Sequence, residues 1–314
     1  MAKLILIALL LLFLVIGCSG RASLQGLRSF LYQLQNADVE EIIRSGFKLV
    51  VMDYSKDGSD EERYSPEEIR QLRDHGITPL AYLSIGEAED YRFYWQEAWD
   101  ADRDGLPDPG APPWLGRSNP EWEGNYKVRY WDPDWQGIVL AYLDKIIAQG
   151  FAGVYLDIID AFEYWSDLAD GEGLVLTEGE AARRMIAFVR RIAAHARAFL
   201  VFPQNGERIL DYDSDGSYLA AISGIGVEDL FYDGTEPNPP DWIAARTAYL
   251  DRLSSAGKAV LSVDYVDDGS GYRGQNKARI DDYIARAREC GYIPYAARAD
   301  RELDRINIIP TVQP

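Results

Sequence analysis

Short apolar stretches recur along the chain, and amphipathic segments with a helical period separate them. The apolar stretches cover residues 30–35, 48–54, 79–85, 153–158, 199–204, 226–232, 259–265 and 292–296. Most are continuous runs rich in Val, Ile, Leu or Tyr, which is typical of parallel strands buried on both faces. Strands that alternate with helices predict an α/β fold. Eight such strands are the number that closes a (β/α)8 TIM barrel, so we expect this architecture in a single domain.

Capping residues mark where the intervening helices begin and end. Asp38, Ser65, Asp134 and Thr177 stand at expected helix starts, and Thr177 is followed by glutamate at the spacing of a capping box. Glycines follow the predicted helices at positions 46, 76, 150, 257 and 291, where a left-handed cap is expected. The alternative is an open doubly wound sheet, but no glycine-rich turn follows the first strand as a dinucleotide site requires.

The first residues have the pattern of a secretion signal. Lys3 precedes an unbroken apolar run from Leu4 to Ile16, which is shorter than the roughly 20 residues of a membrane span. The sequence therefore predicts a signal peptide over residues 1–17. The run ends at Cys18, as in the lipobox of bacterial lipoproteins, which implies cleavage before Cys18 and acylation of its thiol. An ordinary secretory peptide with an incidental cysteine is the alternative, because Val15 stands where leucine is usual.

The predicted signal peptide is followed by two further regions. Residues 18–29 form a short polar tether, and residues 30–314 form the barrel domain. We expect a monomer that is secreted across the inner membrane and lipid-anchored to the cell envelope, at the outer membrane where the host has one. Without residue 18 the remaining cysteine is Cys290, so neither an intramolecular disulfide nor a cysteine-based zinc site can form.

The chain is strongly acidic, with a formal net charge of -19 that becomes -20 when Lys3 leaves with the signal peptide. Nucleic acid is therefore a poor partner, and anionic lipid surfaces give no electrostatic attraction. A solvated acidic surface is the simplest explanation of the charge. A cleft that attracts a cationic substrate, such as an amino sugar polymer, is the more specific one.

Carboxylates end two of the buried strands. Asp157 follows Val154 to Leu156, and Glu228 follows Gly226 and Val227, so both are expected at the barrel mouth, where active sites form. Neither of the two histidines ends a strand, which disfavours metal-dependent and Ser-His hydrolases. Glycoside hydrolysis needs only two carboxylates. Simple strand-end caps are the alternative, and further acids are expected as ligands or supporting residues: Asp53, Glu87, Asp160 and Asp264.

Residues 86–133 form an unusually long connection, rich in Pro, Gly, Asp and Trp. Long loops in compact domains are usually functional. Five of the eight tryptophans lie here, and their flat faces suit stacking on sugars, although they could equally pack the loop onto the barrel. We expect Trp131 and Trp95 at the cleft. The connection also carries Asp100, Asp102 and Asp104 at the opening spacing of a calcium loop, but Ala111 stands where that loop needs glutamate, so ordinary Asx turns are the alternative.

Several motifs in combination resemble glycoside hydrolase family 114, the endo-α-1,4-polygalactosaminidase-like proteins. The motifs are Ala81 to Glu89, Val128 to Pro133, Gly153 to Asp157, Gln204 to Gly206 and Gly226 to Tyr232. The resemblance extends over nearly all of the chain after the tether. It implies a TIM barrel that cleaves an α-1,4-linked galactosamine-containing polysaccharide without a cofactor or catalytic metal.

The resemblance also implies roles for individual residues. Asp157 becomes the nucleophile and Glu228 the general acid/base of a retaining endo-glycosidase. The residues expected to line the sugar subsites are Asp53, Tyr54, Tyr82, Ser84, Glu87, Trp131, Asn205 and Asp264. A polysaccharide-binding envelope lipoprotein without catalytic activity is the alternative, since one barrel scaffold hosts many functions.

Overall fold

A computed structural model describes residue 24, residues 26–167 and residues 176–314. The predicted signal peptide and Cys18 lie outside these residues, as does most of the predicted tether. No helix in the described parts of the chain combines the length and apolar character needed to cross a membrane.

Eight parallel strands build the barrel. They are β1 (Leu31–Tyr32), β2 (Leu49–Met52), β3 (Thr78–Ser84), β4 (Gly153–Asp157), β5 (Leu200–Pro203), β6 (Gly224–Glu228), β7 (Ala259–Asp267) and β8 (Ile293–Arg298). Each overlaps a stretch predicted from the sequence. Hydrogen-bonded pairing runs in chain order from β1 to β5 and from β6 to β8, and a parallel bridge between Gln204 and Gly226 joins the two halves. At the remaining seam, the rings of Phe30 and Tyr295 lie 5.8 Å apart. The TIM-barrel prediction is confirmed.

Helices occupy the connections between the strands. They are α1 (Val39–Ser45), α2 (Pro66–Asp74), α3 (Pro133–Gln149), α4 (Ala161–Asp167), α5 (Glu178–His195), α6 (Ser217–Ala221), α7 (Pro240–Ser255) and α8 (Gly274–Glu289). Asp38, Ser65 and Thr177 cap their helices as predicted. The cap of α3 is Asp132 and not Asp134, because Pro133 supplies the first helical residue and needs no backbone partner there.

The long connection after β3 contains a small antiparallel sheet. Its strands are Glu87–Glu89, Leu115–Ser118 and Asn125–Val128, and a 3-10 turn covers Glu97–Trp99. The buried carboxylate of Glu87 ties the sheet together, because it accepts hydrogen bonds from Asn119 and Asn125 and pairs with Lys127. Glu89, on the first strand of the sheet, pairs with Arg92, which also pairs with Asp53 after β2, so the sheet is fixed beside the barrel mouth.

Further short elements follow β5 and β6 along the chain. A 3-10 helix covers Glu207–Asp211, and a two-stranded hairpin pairs Tyr232–Asp233 with Glu236–Pro237. Inside the barrel, the Tyr155 ring packs at 5.4 Å from that of Tyr32. A Cβ atom on Gly226 would overlap the Tyr155 hydroxyl, so only glycine lets β6 pass this ring and carry Glu228 to the mouth.

Candidate active site

Three neighbouring strands deliver polar side chains to one edge of the barrel. Asp157 ends β4, Gln204 directly follows β5, and Glu228 ends β6. Gln204 forms the parallel bridge to β6, and its backbone N–H donates to the Leu156 carbonyl at 2.8 Å. The carboxyl ends of parallel strands meet at the barrel mouth, so the two candidate catalytic carboxylates lie on either side of Gln204.

The residue after each of these side chains adopts a left-handed backbone conformation. The φ angles are 59° at Ile158, 55° at Asn205 and 50° at Asp229. This conformation is unusual for a β-branched residue such as Ile158, and strain of roughly 1–3 kcal/mol per residue is typical of functional sites. Gly86 makes the first turn possible, because a Cβ atom there would overlap the Ile158 carbonyl oxygen.

Asp157 is partly buried and holds two hydrogen bonds. The Tyr82 hydroxyl donates to its Oδ2 at 2.6 Å, and the Ile158 backbone N–H donates to Oδ1 at 2.7 Å. Loss of hydration raises the pKa of Asp157 to about 8, with a further contribution from the negative charge of Glu228, although the Tyr82 hydrogen bond opposes the rise. Asp157 can therefore take up and release a proton near neutral pH.

Glu228 has more hydrogen-bond donors around it than Asp157. The side-chain amides of Gln204 and Asn205 both donate to Oε2, the second at 3.2 Å, and the Tyr265 hydroxyl donates to Oε1. Burial raises the pKa of Glu228, and the hydrogen bonds from Tyr265, Gln204 and Asn205 limit that rise. The negative charge of Glu228 also raises the pKa of Asp157, so the titration of Asp157 depends on the charge of Glu228.

The pair lies in a cleft made of two adjoining cavities. The first is about 710 Å³ and contains Asp157, Tyr82 and Glu228; the second is about 590 Å³ and extends from Glu228 to Trp242 and Tyr249. The walls that both cavities share are formed by Trp122, Asp160, Asn205, Glu228, Tyr265 and Arg301. The cleft therefore continues on both sides of Glu228, with room for more than one residue of a chain-like ligand.

Three of the predicted sugar-lining residues lie in this cleft: Asp53, Tyr82 and Asn205. Tyr82 and Asn205 contact the two carboxylates directly. Asp53 is buried in the wall and pairs with Arg92 at 2.7 Å, so its carboxylate already has a cationic partner within the protein.

The structure places Tyr54 and Asp264 outside the cleft, which corrects the prediction that they line the sugar subsites. Tyr54 is fully buried in the core, where its ring packs 4.6 Å from that of Tyr142. Asp264 is also fully buried, and it accepts hydrogen bonds of 2.9 Å from the backbone N–H groups of residues 230–232. Burial raises the pKa of Asp264 to about 7. Neither side chain offers surface to a sugar; Asp264 instead orders the loop after Glu228.

Ser84, Glu87 and Trp131 are likewise placed outside the cleft. The Ser84 hydroxyl donates to the Glu87 carbonyl at 2.9 Å, and the Glu87 carboxylate holds the antiparallel sheet. Trp131 packs edge-on against Trp165 at 5.2 Å. The indole of Trp95 packs against Tyr126 instead of facing the cleft.

The residues of the cleft that sequence reasoning missed include Gln204, Tyr265, Trp122 and Arg301. The signal for Gln204 is that a polar residue ends its predicted strand, as Asp157 and Glu228 end theirs. Tyr265 follows Asp264 directly, and alternation along the strand turns one of these side chains inward and the other outward. For Trp122 and Arg301, which lie in irregular segments, the sequence carries no comparable periodic signal.

The acidic loop predicted to hold calcium does bring its carboxylates together. Oxygens of Asp100, Asp102 and Asp104 lie within 4.8 Å of one another. Asp100 accepts hydrogen bonds from the N–H groups of Asp104 and Gly105 and from the Tyr126 hydroxyl, at 3.1, 3.0 and 2.6 Å. The side chains of Asp102 and Asp104 accept the bonds of Asx turns, from the N–H groups two residues on, at 3.4 and 2.8 Å. Calcium binding stays a prediction.

Comparison with known proteins identifies the family. The model of glycoside-hydrolase family GH114 matches residues 19–313. The chain belongs to this family. The GH114 protein is therefore a glycosidase, as the motifs suggested. It is 48% identical to an uncharacterized protein of Thermotoga maritima, over 99% of this chain and 94% of the relative. It is 50% identical to an uncharacterized protein of Methanocaldococcus jannaschii, over 88% of this chain and 77% of the relative.

Solved structures share the fold of the GH114 protein. The glycoside hydrolase domain of PelA from Pseudomonas aeruginosa has a TM-score of 0.65 at 20% identity, and the match covers 90% of this chain and 98% of that domain. Ega3 of Aspergillus fumigatus, determined in complex with galactosamine, has a TM-score of 0.62 at 18% identity, covering 93% of this chain and 99% of that one. At these identities the likeness supports the barrel architecture.

Proposed function

We propose that the GH114 protein is a retaining endo-glycosidase that cleaves an α-1,4-linked galactosamine-containing polysaccharide. The observation that carries the proposal is the pair of carboxyls, Asp157 and Glu228, at the ends of β4 and β6 in a cleft that continues on both sides of Glu228. A polymer can cross such a cleft and be cut within its chain. The galactosamine bound to Ega3 and the acidic net charge of -19 support a cationic sugar polymer as the substrate.

The proposed reaction has two steps. In the first, Glu228 donates a proton to the glycosidic oxygen while an oxygen of Asp157 attacks C1, which breaks the C–O bond and leaves a glycosyl ester on Asp157. In the second, Glu228 takes a proton from water, the water oxygen attacks C1, and Asp157 departs as a carboxylate. Two inversions at C1 retain its configuration.

The hydrogen bonds of the two carboxyls bear on these roles. The Gln204 and Asn205 amides can only donate to Oε2 of Glu228, so they favour its ionised form. In the resting pair this favours the proton on Asp157. A nucleophilic Asp157 must therefore pass its proton to Glu228 or to solvent before attack, and substrate binding would have to drive this transfer.

The activity is tested by reducing-end release from partially de-N-acetylated α-1,4-galactosaminoglycan. We expect wild type to release reducing ends, and Asp157→Asn and Glu228→Gln to lower kcat at least about a thousandfold. Glu40→Gln, which removes an exposed charge on α1, serves as the control. Binding of the polymer without turnover by wild type would contradict the proposal and favour the non-catalytic polysaccharide-binding lipoprotein.

The two roles are separated by stereochemistry and by chemical rescue. NMR of the first-formed product should give the α anomer if the enzyme retains configuration, and the β anomer would contradict retention. With azide, Glu228→Ala should form the α-glycosyl azide from the covalent intermediate, whereas Asp157→Gly should form the β-glycosyl azide. The reverse pattern would exchange the two roles.

We also propose that Cys18 carries a lipid that tethers this hydrolase to the cell envelope. The support is the apolar run that ends at Cys18 in the sequence. In fractionated cells, a Cys18→Ala variant should move from the membrane to the soluble fraction. Retention of this variant in the membrane fraction would contradict lipid anchoring.

A further inference from the structure

Five acidic side chains in the walls of the cleft have a basic partner. Asp53 and Glu89 each pair with Arg92 at 2.7 Å. Glu207 pairs with Arg246, Asp229 with Arg301 at 2.7 Å, and Glu163 with Arg208 at 3.6 Å. The negative charge of these residues is largely balanced inside the protein, so they leave little unpaired charge for a ligand.

Asp160 differs from these five residues and lines both cavities. Three other carboxylates of the walls, Asp57, Glu123 and Glu302, also form no ion pair in the described parts of the chain, but they line only the first cavity. Within the described parts of the chain, no Lys or Arg lies at ion-pair distance from its carboxylate, and the nearby Lys127 pairs with Glu87 instead. Asp160 lies in the turn between Asp157 and helix α4 and is exposed to the cleft. Its charge is therefore open to a ligand at the point where the two cavities meet.

The surroundings of Asp160 leave this charge unfavourable without a ligand. Reduced hydration inside the cleft raises the pKa of Asp160 to about 6, and the neighbouring carboxylate of Glu163 adds to the rise. A ligand with a positive group would offset both effects, because an opposite charge at close range favours the ionised carboxylate.

Trp122 faces the same junction from the antiparallel sheet. Its side chain is 57% exposed and lines both cavities. The turn that carries it is held by backbone hydrogen bonds of 3.2 Å, from Trp122 to Asn119 and from Asn125 to Trp122. An exposed indole offers an apolar face to a sugar ring and a π surface to a cation.

We propose that Asp160 and Trp122 form a sugar subsite at the junction of the two cavities, and that Asp160 binds the free ammonium group of a hexosamine. This inference rests on the proposed function and adds to it a residue that selects the substrate. An ammonium gains a charge-assisted hydrogen bond to the carboxylate. An N-acetyl group is neutral, so the subsite discriminates against it through Asp160, whereas Trp122 holds both kinds of sugar.

The test compares Asp160→Asn with wild type and with Glu40→Gln, on fully de-N-acetylated and fully N-acetylated α-1,4-galactosamine oligomers. For Asp160→Asn we expect kcat/KM on the de-N-acetylated oligomer to fall about 10- to 100-fold, with less than about a twofold change on the N-acetylated one. Asp160→Glu should recover part of the loss. An equal loss on both oligomers would overturn the inference, while activity of wild type on them would still support the proposed hydrolase.

Binding provides a second readout that does not depend on turnover. Calorimetry on Glu228→Gln, with and without Asp160→Asn, measures the affinity for each oligomer. We expect Asp160→Asn to weaken binding of the de-N-acetylated oligomer alone, and Trp122→Ala to weaken both. Equal affinities with and without Asp160→Asn, or no binding of either oligomer, would overturn the inference, whereas failure of hydrolysis by wild type would contradict only the proposed function.

Discussion

The guanidinium of Arg301 lies 4.5 Å from the centroid of the Tyr265 ring, and the hydroxyl of this tyrosine donates a hydrogen bond to Glu228. Arg301 also binds both carboxylate oxygens of Asp229, the residue after Glu228, at 2.7 and 3.0 Å. Arg301, on the segment after β8, thus positions Glu228 in two ways. It packs on the Tyr265 ring, whose hydroxyl binds Glu228, and it binds Asp229 in the turn that follows Glu228. This arrangement makes Arg301 a positioning residue for the candidate acid/base.

Arg301→Met should therefore reduce turnover more than substrate affinity. We expect kcat to fall about tenfold, which corresponds to ~1.4 kcal/mol of transition-state stabilisation, with KM changed less than about threefold. Steady-state kinetics on the oligomers measure both constants. Arg305→Met is the control, because Arg305 is exposed and pairs with Asp304. A change in KM alone would indicate that Arg301 acts by contacting the substrate.

Tyr82→Phe tests the hydrogen bond to Asp157. The Tyr82 hydroxyl lowers the pKa of Asp157 against the effect of burial, so its removal should raise that pKa further. If Asp157 acts in its ionised form, the acid limb of the kcat/KM profile should move upward by about one pH unit, since a hydrogen bond to a charged group contributes roughly 1.5–3 kcal/mol.

The matched control for this variant is Tyr126→Phe, which removes a hydrogen bond of similar length, 2.6 Å to Asp100, outside the cleft. The acid limb of the kcat/KM profile of Tyr126→Phe should coincide with that of wild type. An unchanged acid limb in Tyr82→Phe would show that another group governs the limb, and would count against Asp157 as the group that must be ionised.

Asp157→Asn should stabilise the fold at neutral pH even as it removes activity. The pKa of Asp157 is raised to about 8 in the folded protein, against about 3.9 in an unfolded chain. The folded state therefore binds more protons between these values, and this group lowers the free energy of unfolding as pH rises from about 4 to about 8. The difference in Tm between variant and wild type should grow over this range. A difference that is constant with pH would contradict the raised pKa.

The barrel itself could be predicted because its signal is local. Each strand is a buried apolar run, and each capping residue is recognised from its immediate neighbours. Asp157 and Glu228 could be selected for the same reason, since strand order alone brings the ends of β4 and β6 to one mouth. The positions of these elements along the chain needed no knowledge of distant contacts.

The direction in which a side chain points at the end of a strand was harder to predict. Tyr54 and Asp264 lie one residue from Asp53 and Tyr265, which do line the cleft, and a shift of one residue reverses the direction of a strand side chain. Glu87 and Trp131 were also predicted to line the cleft and lie outside it, for a different reason. Their partners, Lys127 and Trp165, are distant in sequence, so nothing local distinguished structural roles from binding.

Gly86→Ala tests whether the strained turn after Asp157 is needed for activity. A Cβ atom at Gly86 would overlap the Ile158 carbonyl oxygen and lie 2.9 Å from the Ala161 Cβ atom. The backbone that follows Asp157 must then shift, and a displacement near 1 Å can lower a rate about a hundredfold. We expect a lower Tm and a loss of activity of that order.

The control for Gly86→Ala is Gly137→Ala, in helix α3, where an added Cβ atom meets nothing within 4 Å. Alanine is favoured over glycine inside a helix by roughly 0.5–1 kcal/mol, so this variant should gain stability and keep full activity. Differential scanning calorimetry and oligomer hydrolysis on both variants separate the two effects. If Gly86→Ala kept the wild-type rate, the turn at Ile158 would not be what holds Asp157 in its reactive position.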